Sequence, residues 1–307
     1  MSSAQALVIG SATNLPASHF LPFFRSLRAT GFEGHTCVFV ARMQPAEQAE
    51  LTAAVDETVL LDDRYVGAAP DAVVRSLAWV KGTKGLRKHF PRVMHGYCRA
   101  ARVAPGSPAA EELEMRLQGL QSLRYAEYLR YLRAHPEYAH VMLSDLRDVI
   151  FQRDPFADPV DRLEVFLEEP DVTFAVDGFN RRWIGDLYGD AGLAQLGAGV
   201  VSCSGVTFGT RDGMEAYLAT MADEVSAHLP PLGAHDQAIH NWLLATDRLP
   251  DATRVANGYG RVLTMGAQRH IDVTDDHTVL NHDGTVPAVL HQYDRHVDLA
   301  PALLAAF

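Results

Sequence analysis

The N-terminal part of the chain alternates between short apolar runs and helical spacing, and this order constrains the fold more than any other sequence feature. The apolar runs are residues 6–9, 36–40 and 58–61. Between the first two, large apolar residues recur at helical spacing before Gly31, namely Phe20, Phe23, Phe24 and Leu27. This order is typical of a parallel sheet covered by helices. The sequence therefore predicts a single α/β domain with a mostly parallel central sheet and helices on both faces.

The first apolar run leads directly into small and polar residues at 10–14, which we interpret as a turn at the end of a strand. Small residues in that place suit the close approach of a nucleotide. The stretch has neither the dinucleotide fingerprint nor the Lys of a phosphate-binding P-loop, so an ordinary tight turn is the alternative. The candidate nucleotide-binding residues are Ser11, Ala12, Thr13 and Asn14.

An acidic motif follows the apolar run 141–143, which is typical of a buried strand. Asp145 and Asp148 stand there, with Arg147 between them. Buried charge is costly unless it is paired or bound to a metal. In open α/β sheets, ligands bind beyond the carboxyl ends of the strands. We therefore predict that both acids bind a hard cation, Mg²⁺ or Mn²⁺, which prefers oxygen ligands. The alternative is a capping turn with a local Asp–Arg pair.

Polar residues also lie at the predicted ends of elements in the second half. Asp177 follows a predicted strand at residues 172–176, and His291 follows an apolar pair near the C-terminus. Asp236 and Gln237 stand in the first turn of a predicted helix, where capping by Asp236 is the alternative role.

Three further patterns bear on the second half. A predicted strand at 200–209 is interrupted by Ser204 and Gly205, at a point where a larger side chain would obstruct a neighbour. The segment 181–197 predicts a helix with a Gly-Asp interruption. The segment 211–228 predicts a second helix, which ends before Pro230 and Pro231.

Two segments of the first half have more than one interpretation. Residues 68–106 are the most basic part of the chain. They form either a loop over a phosphate-bearing ligand or a basic helix face exposed to solvent. Residues 108–135 predict one long helix that contains Arg124. The Arg124 side chain either extends to solvent or contacts a bound nucleotide.

Composition excludes several classes of function. The formal net charge of −11 argues against non-specific nucleic-acid binding. Cys37, Cys98 and Cys203 form neither metal-type spacing nor a disulfide framework, which favours a reducing compartment. The N-terminus does not resemble a signal peptide, and no apolar stretch is long enough to span a bilayer. We expect a soluble, cytoplasmic protein without a transmembrane segment.

Taken in order, these features resemble the GT-A class of nucleotide-sugar glycosyltransferases. The resemblance is closest to the retaining family that includes glycogenin and the lipooligosaccharide galactosyltransferases. By this resemblance, Asp145 and Asp148 match the Asp-x-Asp metal motif, although they are spaced one residue further apart. His291 matches the late His that completes the metal site, but Tyr-Asp-Arg stands at 293–295 where the family often has Lys-Pro-Trp. Residues 203–205 match a small-residue strand that lines the acceptor pocket.

The resemblance implies a metal-dependent transferase with a GT-A, Rossmann-like domain. Its donor is a nucleoside-diphosphate sugar of the UDP or GDP type, its acceptor is a small molecule or a glycan, and its metal is Mn²⁺ or Mg²⁺. Residues 1–156 form the nucleotide-binding half and 157–307 the acceptor-binding half. The resemblance suggests that the Asp145 carboxylate also reaches the ribose of the donor, and Arg124 is a candidate contact to the donor from its place before the central strand.

The candidate catalytic residues are Asp236 and Gln237, which the resemblance implies, and Asp177, which the chemistry of an inverting reaction adds. Asp236 and Gln237 match the pair that faces the sugar. Asp236 stabilises an oxocarbenium-like centre if the reaction retains configuration. Asp177 or Asp236 acts as the base if the reaction inverts it.

Three other functions are compatible with parts of this pattern. A nucleotidyltransferase shares the sheet and the metal chemistry, but residues 10–14 lack its Arg- and Lys-containing signature. A haloacid-dehalogenase-like phosphatase would carry its nucleophilic Asp on an early strand. A non-catalytic interpretation, a metal-free sugar-nucleotide-binding or partner protein, would be favoured if Asp145 and Asp148 were paired with arginines and bound no metal.

Overall fold

The computed structural model describes residues 5–62, 64–229 and 235–307. The strands are β1 Ala6–Thr13, β2 His35–Ala41, β3 Glu57–Leu60, β4 His140–Ser144, β5 Val149–Phe151, β6 Glu164–Leu167, β7 Ser202–Thr210, β8 Thr253–Val255, β9 Val262–Thr264, β10 Asp272–Val273, β11 Val279–Leu280 and β12 Val289–His291. The helices are α1 Leu21–Ala29, α2 Pro45–Thr52, α3 Asp71–Gly82, α4 Phe90–Ala101, α5 Pro108–Leu117, α6 Arg124–Ala134, α7 Gly178–Leu196, α8 Arg211–His228, α9 Asp236–Ala245 and α10 Ala300–Leu304.

A seven-stranded sheet forms the centre of the fold, in the order β3-β2-β1-β4-β7-β6-β8. Strand β7 is antiparallel to both of its neighbours, and the other adjacent strands are parallel. The predicted α/β class with a mostly parallel central sheet is therefore confirmed. The division into a nucleotide-binding and an acceptor-binding half stays a prediction.

Both faces of this sheet are covered by helices, because successive side chains of a strand point to opposite faces. On β1, Leu7 and Ile9 pack in one cluster with residues of α6, α8 and α9. Ala6 and Val8 pack in another cluster, with the aromatic residues of α1. The apolar alternation in the sequence therefore separates two layers of helices.

A smaller sheet in the order β5-β12-β9 joins the C-terminal region to the acidic motif. Strand β12 pairs antiparallel with β5, so that His291 lies opposite Val149. The amide of Gln292 also donates to the carbonyl of Asp148, at 2.7 Å. This pairing brings the end of β12 next to the end of β4.

Residues 10–13 are not a turn, as the sequence analysis predicted, but the last part of β1. Strand β2 runs beside them as far as the pair Thr13 and Ala41, so their backbone continues the sheet. The chain changes direction only at Asn14, whose φ of 58° lies in the left-handed region. Gly10 is required within the strand, because a Cβ there would lie 2.5 Å from the Leu146 side chain.

The single helix predicted for residues 108–135 is wrong, because the chain forms α5 and α6 instead. The break contains Gly119, whose φ of 115° is incompatible with a helix. The strand predicted at 172–176 is also wrong. Thr173 forms only an isolated bridge with Val200, and Phe174 is buried in a small cluster against α7.

Other predicted elements are confirmed. Helix α8 spans the predicted residues, and α7 is interrupted at Gly189, whose φ is 63°. The basic segment 68–106 folds largely into α3 and α4, as the helix-face interpretation expected. Pro230 and Pro231 lie outside the described residues. No helix in the described part of the chain is both long and apolar enough to cross a membrane.

A buried histidine lies where α8 and α9 pack against β7. His240 has no exposed surface, and its ring nitrogens lie 2.9 Å from the Ser202 hydroxyl and 2.9 Å from the Tyr217 hydroxyl. Burial lowers the pKa of His240 to about 3, and the charge of Arg254 adds to the effect. The folded protein therefore keeps this imidazole neutral where the unfolded chain protonates it.

We expect the free energy of unfolding to fall as the pH decreases from about 6.5 towards 3, because only the unfolded chain then protonates His240. The slope from this group is at most about 1.4 kcal/mol per pH unit, and its full contribution is present above the unfolded pKa. Urea unfolding at a series of pH values should show a flatter curve for His240→Gln. The control His19→Gln, at an exposed position, should follow the wild type. Identical curves for wild type and His240→Gln would contradict this prediction.

Candidate functional site

A cavity of about 490 Å³ lies at the carboxyl ends of β1 and β4. Because β7 is antiparallel to β4, its first residues reach the same edge of the sheet. The cavity therefore gathers most of the predicted site into one place. Its lining comprises Ser11, Thr13, Leu15, Phe20, Gln121, Arg124, Asp145, Leu146, Arg147, Asp148, Trp183, Cys203, Ser204, Gly205, Asp236, Gln237, His291, Gln292 and Arg295.

The three predicted metal ligands meet in this cavity. One ligand atom from each of Asp145, Asp148 and His291 lies within 4.8 Å of the others. A six-coordinate cation with bonds of about 2.1 Å holds its ligands roughly 3 to 4.2 Å apart. Two carboxylates and an imidazole are a donor set that suits Mn²⁺ or Mg²⁺. The group can therefore hold a divalent metal ion.

The backbone fixes the positions of these ligands. The amide of Asp145 donates to the carbonyl of Gly205 at 2.7 Å, which ties the end of β4 to β7. Asp148 and His291 are held together by the β5–β12 pairing and are both buried. The ligand positions therefore depend on β4 and β5, which are neighbours in sequence, and on β7 and β12, which are remote from them.

Gly205 provides the space in which the ligands face one another. A Cβ at this position would lie 2.6 Å from Nε2 of His291 and 2.9 Å from Oδ2 of Asp145. The sequence analysis predicted that a side chain here would obstruct a neighbour, and this is confirmed. The absent side chain leaves room for both donor atoms at the surface of the cavity.

Both acids also pair with arginines. Arg124 donates to Oδ1 of Asp145 at 2.8 Å, and Arg147 donates to Oδ2 of Asp148 at 3.3 Å. Each pair engages one oxygen of its carboxylate. Oδ2 of Asp145 lies beside Gly205, and Oδ1 of Asp148 lies 3.9 Å from Nε2 of His291. The ion pairs are therefore compatible with metal binding by the second oxygen of each acid.

A buried thiol orients the His291 ring. Sγ of Cys203 lies 3.7 Å from Nδ1 of His291, so the other nitrogen faces Asp148. Burial raises the pKa of Cys203 far above its usual value, so the thiol keeps its proton. The thiol donates to Oε1 of Gln237 at 3.6 Å. Burial raises the pKa of the nearby Glu168, and His291 acts against that rise. An imidazole that donates from Nδ1 presents the lone pair of Nε2 to a metal.

Arg124 connects the metal ligands to Asp236. Its second guanidinium nitrogen donates to Oδ2 of Asp236 at 2.7 Å, and the hydroxyl of Tyr125 donates to the same oxygen at 3.1 Å. Burial acts to lower the pKa of Arg124, but Tyr125, Asp236 and Asp145 outweigh it and raise the pKa well above the ordinary value. Since Arg124 is only 8% exposed, the solvent-directed interpretation of its side chain is wrong.

Gln237 lines the cavity, whereas Asp177 has a structural role. The amide of Gln237 donates to Asn180 at 2.9 Å. Asp177 caps the N-terminus of α7 by accepting from the backbone of Asn180 at 2.7 Å. Asp177 is absent from the described lining of the cavity, so the structure gives this candidate base a capping function instead.

The four nucleotide-binding candidates divide between two faces of β1. Ser11 and Thr13 line the cavity. The Ala12 side chain packs in the core on the α1 face, and Asn14 is exposed beyond the end of the strand. Alternation along β1 therefore separates Ala12 from the cavity, because the expected turn is a strand.

Sequence reasoning missed the buried Glu168 and the cavity residues Trp183 and Gln121. Glu168 follows a strand, as the other candidate acids do, and this position was a usable signal. Trp183 and Gln121 lie in helical or irregular segments without a motif. Their positions depend on how those segments pack against the sheet.

The sequence matches no model of a known protein family, and it matches no curated protein. The function of the cavity is therefore inferred from the geometry and chemistry of its residues.

We expect Gly205→Ala to lower the affinity for Mn²⁺ by about tenfold or more, because the new Cβ displaces His291 or Asp145 from the ligand group. Isothermal titration calorimetry with Mn²⁺ measures this affinity. Gly96→Ala is the control, since a Cβ at that exposed position of α4 would meet no atom within 4 Å. Mn²⁺ affinity that is unchanged in Gly205→Ala would show that the three side chains do not form the metal site.

Proposed function

We propose that the protein is a metal-dependent glycosyltransferase that moves a sugar from a nucleoside-diphosphate sugar to an acceptor. The observation that carries this proposal is the Asp145, Asp148 and His291 group, which shares its cavity with the Asp236 carboxylate. A metal group alone would serve many reactions. The additional carboxylate, held by three donors, supplies a second centre of charge for a reacting sugar.

Asp145, Asp148 and His291 would hold the cation, and Cys203 would keep the His291 ring in its orientation. A bound Mn²⁺ or Mg²⁺ ion supplies Lewis-acid stabilisation of the negative charge on a departing diphosphate. Ser11 and Thr13 line the same cavity from β1 and offer hydroxyl groups to the nucleotide.

Two arginines add positive charge to the site of the leaving group. Arg147 and Arg295 both line the cavity. Arg147 lies 3.3 Å from Asp148 and 3.3 Å from Asp294, so its guanidinium is held between two carboxylates. A guanidinium with a fixed orientation can donate to phosphate oxygens without reorganising.

Asp236 is the carboxylate best placed to stabilise positive charge on the sugar. Arg124 and Tyr125 both donate to its Oδ2, and the amide of Gln237 donates to its Oδ1 at 2.9 Å. Three hydrogen bonds hold this carboxylate in one orientation towards the cavity. This arrangement favours electrostatic stabilisation over general-base catalysis, as in a retaining reaction.

A non-catalytic sugar-nucleotide-binding protein is the second candidate. The ion pairs of Asp145 with Arg124 and of Asp148 with Arg147 favour it, because arginines can balance the acids without a metal. The two candidates differ in whether a divalent cation is needed for nucleotide binding and for sugar transfer.

Metal dependence separates the two candidates. We expect UDP or GDP to raise the melting temperature in Mn²⁺ buffer and to do so far less in EDTA. Asp148→Asn and His291→Ala should each remove the metal-dependent part of this shift, and release of nucleoside diphosphate from the donor should cease. Full activity in excess EDTA, or in Asp148→Asn, would show that the acids are structural.

A third variant tests the role of Asp236. We expect Asp236→Asn to keep metal-dependent nucleotide binding, while turnover falls on the order of 100-fold because the stabilising charge is lost. Asp177→Asn is the matched control: Asn also caps helices well, so both binding and turnover should resemble the wild type. Equal losses in these two variants would assign the effect to folding rather than to chemistry.

A further inference from the structure

The lysines of this chain are concentrated in one short segment. The sequence has three, at positions 81, 84 and 88. Residues 81–102 contain seven Lys and Arg and no Asp or Glu. The remaining chain holds 20 of the 27 basic residues and all 38 acidic ones, so its formal charge is −18. Positive charge is thus collected on the end of α3, the turn after it and α4.

Six of these seven side chains are exposed, and none forms an ion pair with any residue of the described ranges. They are Lys84, Arg87, Lys88, Arg92, Arg99 and Arg102. The seventh, Lys81, is half-buried and donates to the carbonyl of Leu117 and to the side chain of Gln118. In a strongly acidic protein, six exposed cations in one segment without acidic partners form a surface that is complementary to negative charge.

Exposed apolar side chains lie among these cations. Trp79 is 64% exposed at the end of α3, and Val93 is 43% exposed on α4. The opposite side of α3 and α4 is apolar and buried. Leu77, Phe90 and Met94 pack there in a cluster that includes residues of α5. The outer surface therefore combines a large aromatic ring with positive charge. We call it the basic face, defined by Trp79, Lys84, Arg87, Lys88, Arg92 and Val93.

We propose that the basic face docks the protein on a lipid bilayer with anionic headgroups. Trp prefers the interface between headgroups and hydrocarbon, and clusters of Lys and Arg bind anionic leaflets. A planar bilayer can contact the basic face on one side of the molecule. The acidic remainder of the molecule can then lie beyond the Debye length, which is about 8 Å at physiological salt. A flexible polyanion is a poorer partner than a bilayer, because it would also approach the acidic remainder of the molecule and be repelled by it.

The basic face does not line the cavity. Among the described residues that line the cavity, none comes from the segment 64–103. The proposal therefore does not rest on the glycosyltransferase function, and the two can be tested separately.

Vesicle co-sedimentation tests the proposal. We expect the protein to bind vesicles of phosphatidylcholine with about 30% phosphatidylglycerol, but not vesicles of phosphatidylcholine alone, and to dissociate as salt is added. Lys84→Glu/Lys88→Glu/Arg92→Glu should lower the ratio of bound to free protein by about tenfold or more. The matched control is Arg25→Glu/Arg162→Glu/Arg181→Glu, which makes the same change in net charge at exposed arginines without an ion pair in the described structure. It should bind like the wild type.

Trp79→Ala distinguishes a bilayer from other polyanions. We expect this variant to lose vesicle binding and to lose the blue shift of tryptophan fluorescence that vesicles produce, while its melting temperature is unchanged. Three results would overturn the proposal. They are an absence of binding to anionic vesicles, equal loss in the two charge-reversal variants, and binding to duplex DNA that matches vesicle binding and is insensitive to Trp79→Ala.

Discussion

The candidate site depends on one buried cation, the guanidinium of Arg124. This group joins Asp145, at the end of β4, to Asp236, at the start of α9. A buried guanidinium is costly unless it is paired, and carboxylates on both sides compensate for its desolvation. Arg124 lies at the first residue of α6, and the next residue, Tyr125, packs in the core under the sheet. The packing of α6 therefore sets the distance between Asp145, a candidate metal ligand, and the Asp236 carboxylate.

The pairing of β12 with β5 supplies the imidazole. It places His291 opposite Val149, directly after the acidic motif. The imidazole has little room to move, because it and the Asp145 carboxylate occupy space that a Cβ on Gly205 would fill. A strand register that differs by one residue would turn His291 to the other face of its sheet. The metal group is thus a product of sheet register as much as of residue type.

Charge is distributed in two different ways in this molecule. Within the cavity, each of Asp145, Asp148 and Asp236 has an arginine partner. On α4 and the turn before it, the cations are exposed and water screens their mutual repulsion. The paired charges in the cavity hold its carboxylates in place, whereas the unpaired charges on α4 and the turn before it remain available to a negatively charged surface.

The local sequence determined the elements and part of the site. Apolar periodicity predicted β1, α1, β2 and α8, because period and caps are properties of neighbouring residues. The local sequence also predicted that acids follow β4 and that position 205 has no room for a side chain. The tertiary structure decided what local patterns do not encode. Residues 10–13 are a strand because β2 continues beside them, and Asp177 caps α7 although it resembles a catalytic acid.

The contacts of Arg124 and Cys203 also join residues that are remote in sequence. Asp236 lies 112 residues from Arg124, and His291 lies 88 residues from Cys203. Sequence alone therefore determined which residue types stand at the ends of strands and helices. Only the order and register of the strands decided which of them meet, because those contacts form between segments that are remote along the chain.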